Sequence, residues 1–140
     1  MTTPVTYIHE KHFSYSEALA SLALVRPIAA DIVAKTGRLN KLKIRLNELK
    51  MSDFCQHDEI QVLETGAKFL MREIKYHLQE LEQVGCLLKD PLQGLIDFPS
   101  LYKNQEVYLC WKLGETTILE YHGVYDGTQG RKEIPFDMIS

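Results

Sequence analysis

Apolar residues recur through the first two-thirds of the chain in steps that alternate three and four. Val25, Ile28, Ile32, Leu39, Leu42, Leu46 and Leu49 keep this step, with Lys35 filling the one missing heptad position. Ile60, Leu63, Ala67, Leu70, Ile74, His77, Leu81 and Val84 keep it without a gap. Each series lays one apolar stripe along one side of an α-helix, and two such helices across a short link, "MSDFCQH", predict an antiparallel helical hairpin. Ser14 and Glu17 have the spacing of a capping box at the start of the first helix. Pro27 removes an amide donor inside the pattern and predicts a kink or break there. Asp58 with Gln61, or Ser52 further back, is placed to cap the second helix. Gly85 is placed to end it in the left-handed conformation.

After Gly85 the period changes from about 3.6 to 2. "GLIDF", "EVYLCWKL" and "TILEYH" read as three short strands among the turn signals of "KDPLQG" and "DFPSLYKNQ". A three-residue connection at Gly114, Glu115 and Thr116 sets a register. Trp111 then lies opposite Leu119 and Leu109 opposite Tyr121, an apolar face throughout. On the other face Tyr108 meets His122, Cys110 meets Glu120 and Lys112 meets Ile118. A one-residue slip would mix Glu120 and His122 into the Trp111 face, which burial penalises. The predicted fold is therefore α+β and mainly α. It consists of a long antiparallel helical hairpin, its first helix kinked near Pro27, with a small C-terminal three-stranded antiparallel β-meander whose Trp111 face packs on the helices. The half-apolar second face calls for cover by tails or by a partner. One domain accommodates 140 residues, divided into an arm at 1–12, the hairpin at 13–85 and the β element with its tail at 86–140.

Composition narrows the class of function. At 45% hydrophobic and 25% charged the chain is in the globular range, and a net charge of -3 argues against a general nucleic-acid or acidic-membrane binder. Cys55, Cys86 and Cys110 are odd in number and widely spaced, so neither a disulfide framework nor a cysteine-based zinc knuckle is supported. No apolar run is long enough to cross a bilayer, and the N-terminus lacks the basic start and apolar middle of a signal peptide. A cytoplasmic setting follows as the expectation. Residues 35–50 hold six basic residues against one acid, and 53–68 hold four acids against one lysine. Side by side in a hairpin these flanks balance, so the basic stripe is read as a helix flank and not as a nucleic-acid site.

Candidate chemistry gathers in the last third. Asp97, Glu120 and His122 alternate onto the less apolar face, Glu115 sits at the hairpin tip, and Asp126 and Arg131 follow in "YDGTQGR". A histidine with several carboxylates can hold a divalent cation or serve as a general base, and Arg131 can grip an anionic group. Against this, Asp97 and Asp126 could simply stabilise turns, and the ligand spacing is not tight. His77, at a core heptad position between Ile74 and Leu81, reads as a hydrogen-bonded core histidine. No phosphate loop, nucleophile elbow or dinucleotide fingerprint is present.

"KDPLQGLIDFP", "EVYLCWKLGE" and "YHGVYDGTQGR" together resemble the bacterial family catalogued as domain of unknown function 2203, most distinctively over residues 85–135. The chain departs from that pattern at Tyr121, where tryptophan is usual, and at Thr128, where an aromatic is usual. The resemblance implies a helical hairpin with a small C-terminal β element in a bacterial cytoplasmic protein, and it implies no reaction. Two expectations follow. The first is a protein-interaction or assembly module, docking a second copy or a protein partner through heptad flanks such as Leu22 and Phe69. The alternative is a small-molecule or divalent-metal site, possibly hydrolytic, built from Asp97, Glu115, His122, Asp126 and Arg131. Whether the protein is an enzyme, and which cofactor or metal it holds, stay open.

Overall fold

A computed structural model describes residues 6–52 and 57–139. Two long helices, α1 (Tyr15–Lys50) and α2 (His57–Val84), form the hairpin. The capping box at the start of α1 is complete: the Glu17 amide donates to Ser14 Oγ at 3.1 Å, and the Ser14 amide donates to Glu17 Oε1 at 2.9 Å. α1 runs through Pro27 without a break. Pro27 is exposed, while Val25, Ile28 and Ala29 beside it are buried, so packing on both sides outweighs one missing amide donor. α2 ends at Gly85, whose φ of 105° lies in the left-handed region and whose amide donates to the Leu81 carbonyl at 3.0 Å. Its start differs from expectation. Asp58 lies inside the first turn, where it faces the positive end of the helix dipole without being the cap. The linker residues Asp53 and Cys55 lie outside the described residues.

The two exceptions to the heptad stripes meet each other. Lys35 Nζ donates to Glu73 Oε2 at 2.7 Å and to His77 Nε2 at 2.8 Å. His77 Nδ1 in turn donates to Glu80 Oε1 at 2.7 Å. This polar layer separates two apolar clusters. Leu39, Ala67 and Leu70 pack between the distal halves of the helices, while Leu22, Val25, Ala29, Ile32 and Leu81 belong to the main core beneath the sheet. The charged flanks pair near the turn as predicted, with Arg45 to Glu59 at 3.3 Å and Lys50 to Glu64 at 3.1 Å.

The β element is larger than three strands. β1 (Leu87–Asp90), β2 (Leu95–Tyr102), β3 (Gln105–Lys112), β4 (Glu120–Gly123) and β5 (Lys132–Glu133) form one antiparallel sheet in sequence order, followed by a short α3 (Phe136–Ile139). β2 continues through Pro99 because β1 pairs with it only as far as Asp97. Beyond that point β2 has an open edge that tolerates proline, and the Pro99 carbonyl accepts from the Phe13 amide at 2.7 Å. The β2–β3 hairpin turns on Lys103 and Asn104, both at positive φ, the backbone of a two-residue turn that matches strand twist.

Between β3 and β4 the predicted register holds for Leu109 with Tyr121, Tyr108 with His122 and Cys110 with Glu120. It fails nearer the turn. The connection is 113–119, and Trp111 with Leu119 and Lys112 with Ile118 are not paired. α1 holds this segment. Arg26 donates to the Thr116 carbonyl at 2.7 Å, the Tyr15 hydroxyl donates to the Ile118 carbonyl at 2.8 Å, and Trp111 Nε1 donates to the Glu115 carbonyl at 3.0 Å. Ile118 is thereby turned into the core, 1% exposed, and Leu119 points outward at 54%. Trp111 is fully buried with Phe98, Leu109 and Ile96 against α1, as its pattern requires. Leu22, expected as an outward docking flank, is 1% exposed beneath the sheet.

Candidate functional site

Part of the cover for the second face of the sheet comes from the chain's own N-terminal arm. The Ile8 and His9 amides donate to the two oxygens of Glu106 at 2.6 and 3.0 Å, and His12 Nε2 lies 2.9 Å from the same carboxylate. Burial pushes the Glu106 carboxyl up, but the donors from Ile8, His12 and His9 outweigh it and bring its pKa down to about 2. His9 Nε2 and the Tyr108 hydroxyl are 2.6 Å apart. The arm is therefore anchored on β3 beside the polar residues of this face.

Strand register puts Asp97, Cys110 and Glu120 in one row across β2, β3 and β4, with His122 two residues further along β4. Asp97, Cys110 and His122 are all buried, and their carboxylate, thiol and imidazole ligand atoms lie within 4.8 Å of one another. His122 Nε2 is 3.3 Å from Asp97 Oδ2, and Lys89 Nζ is 3.9 Å from the same oxygen. Among the described residues no donor reaches either Asp97 oxygen in hydrogen-bonding geometry, and His122 Nε2 has no hydrogen-bond partner.

The Nδ1 side of the imidazole is fixed by a backbone carbonyl. His122 Nδ1 is 3.0 Å from the Gly123 carbonyl, which can only accept, so Nδ1 carries the hydrogen. Nε2 is then a bare acceptor aimed at another acceptor if the ring is neutral, and a second N–H facing the carboxylate if it is charged. Burial raises the Asp97 carboxyl above its ordinary value, and the charges of His122 and Lys89 and the nearby Cys110 thiol only partly oppose it. Burial likewise drives the Cys110 thiol to about 12, aided by the Asp97 charge and countered by Arg131. A positive centre among these three groups would relieve each of these costs.

Of the five residues predicted from sequence, the structure brings Asp97 and His122 together. Arg131 is exposed on the surface, near enough for its charge to act on Cys110. Glu115 and Asp126 serve turns: Glu115 Oε1 accepts from the Lys112 amide at 2.7 Å, and Asp126 Oδ2 accepts from the Gly123 amide at 3.2 Å. Asp126 also packs against Gly123 and Gly130, where an added Cβ would come within 2.5 Å of Oδ2 and 2.6 Å of the Asp126 Cβ. Cys110 was the residue missed. Its signal was present in the register, which already set it opposite Glu120 on the histidine's face. Elsewhere, the outer side of α2 exposes Val62, Phe69 and Tyr76 at seven-residue intervals. No helix is long and apolar enough to cross a membrane among the described residues.

A family model described as "Uncharacterized conserved protein (DUF2203)" matches residues 11–134, so the resemblance carried by the C-terminal third extends through both helices. Neither a curated protein nor a solved structure matches the chain.

Proposed function

The chain belongs to the DUF2203 family of uncharacterised conserved proteins, and we propose that it is a metal-binding protein that holds a divalent transition-metal ion at Asp97, Cys110 and His122. The observation that carries this reading is the buried meeting of His122 Nε2 and Asp97 Oδ2 beside a thiol, with no hydrogen-bond partner for either atom among the described residues. Metal-ligating histidines commonly donate their second ring N–H to a carbonyl, as His122 does to Gly123. A mixed nitrogen, sulfur and oxygen donor set suits zinc and its neighbours, whereas magnesium and calcium favour all-oxygen sites. When bound, such an ion would neutralise the carboxylate and hold Cys110 as thiolate, and the residues themselves would fix the imidazole tautomer and exclude water. Because the thiol titrates near 12, binding would release its proton, so affinity should rise with pH.

The first test is native mass spectrometry of untagged protein after addition of zinc, paired with cobalt(II) absorption. One ion per chain and a thiolate-to-cobalt band that Cys110→Ser abolishes are expected. A bare 16.1 kDa chain with no band would leave a shared proton between Asp97 and His122 and overturn the metal reading.

A second reading is favoured by Val62, Phe69 and Tyr76, which are 69%, 58% and 62% exposed along α2. Their heptad spacing suits docking of a second copy of the hairpin, the assembly role expected from the heptad pattern. Leu70 is buried between the helices and would report on folding, so Phe69→Glu is the appropriate probe. A dimer by light scattering that this substitution splits would support assembly, and a monomeric parent protein would exclude it.

A further inference from the structure

Lys89 stands where β1 departs from regular pairing. Leu88 pairs with Ile96 and Asp90 with Leu95, leaving Lys89 as the extra residue of a β-bulge. Bulges re-aim side chains, and they recur beside functional sites. Here the bulge leaves Lys89 without a cross-strand partner and directs its ammonium onto the polar row. Nζ lies 3.9 Å from Asp97 Oδ2 and 5.1 Å above the Tyr108 ring. Tyr108 in turn tilts against the His122 ring at 5.5 Å between centroids. Lys89 thus places a full positive charge directly against the carboxylate. Its side chain is 41% exposed, whereas that of Asp97 is 1% exposed.

Resting on the metal reading, we propose that Lys89 is a built-in competing cation, which shares the Asp97 carboxylate with an incoming metal ion and thereby sets the affinity of the site. The charge argument is direct. A dication arriving at Asp97, with loss of the Cys110 proton, adds one net positive charge beside an ammonium that the carboxylate previously held. The ammonium then loses its attraction to Asp97 and turns toward solvent, a movement its half-exposed stem allows. The ion-bound state therefore gains less than it would beside a neutral side chain. No atom of Lys89 is a ligand, because a protonated amine has no lone pair to give. Its role is to adjust affinity through Asp97.

The test compares the parent protein with Lys89→Met and Lys89→Arg by zinc competition against a chromophoric chelator, with the cobalt spectrum as a check on the ligand set. Lys89→Met keeps the length of the stem over Tyr108 and removes the charge. It should tighten zinc about tenfold, the scale of a partly screened interaction between near neighbours, with the cobalt band unchanged. Lys89→Arg should restore the parent affinity. A purely structural lysine would give the opposite sign, since damage to the site weakens binding. Equal or weaker binding by Lys89→Met, with the parent protein binding normally, overturns the role of Lys89 alone. If no variant binds zinc or cobalt, the metal reading falls and this inference falls with it.

Discussion

Asp97→Asn gives the sharpest test of whether the buried carboxylate serves folding or a ligand. The side chain is 1% exposed, and neither oxygen accepts a hydrogen bond in good geometry among the described residues. Leaving a buried polar group unsatisfied costs about 1–3 kcal/mol. Its counterweight is Lys89 at 3.9 Å, which solvent screening at a half-exposed ammonium reduces to about 1 kcal/mol or less. Asparagine is nearly isosteric, and its amide can donate to the bare Nε2 of His122, worth about 1 kcal/mol. In chelator-treated protein the substitution should therefore stabilise by about 1–2 kcal/mol, or about 3–8 °C in Tm for a chain of this size. The pH dependence has a definite sign. Because burial raises the folded Asp97 pKa, the folded state holds the proton more tightly, and stability falls as pH rises from the unfolded value of 3.8 through the folded one. The advantage of asparagine should accordingly be full above that window and shrink below it. Urea and thermal unfolding at several pH values, with and without zinc, measure both effects, and the variant should also lose any zinc-induced shift. A loss of about 3–5 kcal/mol in metal-free protein would instead mark Asp97 and a protonated His122 as a buried ion pair that the fold depends on, and would refute the reasoning.

Lys35→Met and His77→Leu should each destabilise, because each removes the 2.8 Å contact between Lys35 Nζ and His77 Nε2 and leaves the remaining partner only its hydrogen bond to Glu80 or Glu73. The double variant should recover to within about 1 kcal/mol of the parent or exceed it, and a double-mutant cycle in urea reads the coupling. Ile118→Ala should cost about 2–5 kcal/mol and Leu119→Ala about 0.5 kcal/mol or less, and equal costs would refute the inward turn of Ile118. Glu106→Gln should loosen the arm and speed proteolysis before Phe13. In the parent protein the contribution of Glu106 is present above its unfolded pKa of 4.5 and lost as pH falls through about 2, which protection of the Ile8 and His9 amides should follow.

Much of the fold was legible because its signals are local. The three-four stripes, the capping box at Ser14 and Glu17 and the stop at Gly85 depend on neighbours within one or two helical turns, and they hold in the structure. The strand pattern of "EVYLCWKL" likewise set which face carries Trp111 and which carries Cys110 and Tyr108. Period and capping say nothing of what lies against a strand from elsewhere. That β2 could pass through Pro99 depended on β1 stopping at Asp97 and on Phe13 arriving from the arm. The inward turn of Ile118 depended on Arg26 and Tyr15, about ninety to a hundred residues away in sequence, a separation over which local pattern has no reach.

The same division applies to the candidate site. By itself the sequence determined that Glu120 and His122 share a face, since alternation along a strand has a fixed period of two, whereas Asp97 joined them through cross-strand register. The sequence could not decide which of Asp97, Glu115, His122, Asp126 and Arg131 converge, because a carboxylate satisfies a turn or meets a histidine according to three-dimensional register and cover. Tertiary structure tied Glu115 and Asp126 to nearby backbone amides. It also set Cys110 between Asp97 and Glu120 in the cross-strand row and used a bulge to bring Lys89 to the carboxylate. The pairing of Lys35 with His77 makes the same point in the helices. Each looked like an isolated flaw in its own stripe, and only helix packing, which matches positions about forty residues apart, made them partners.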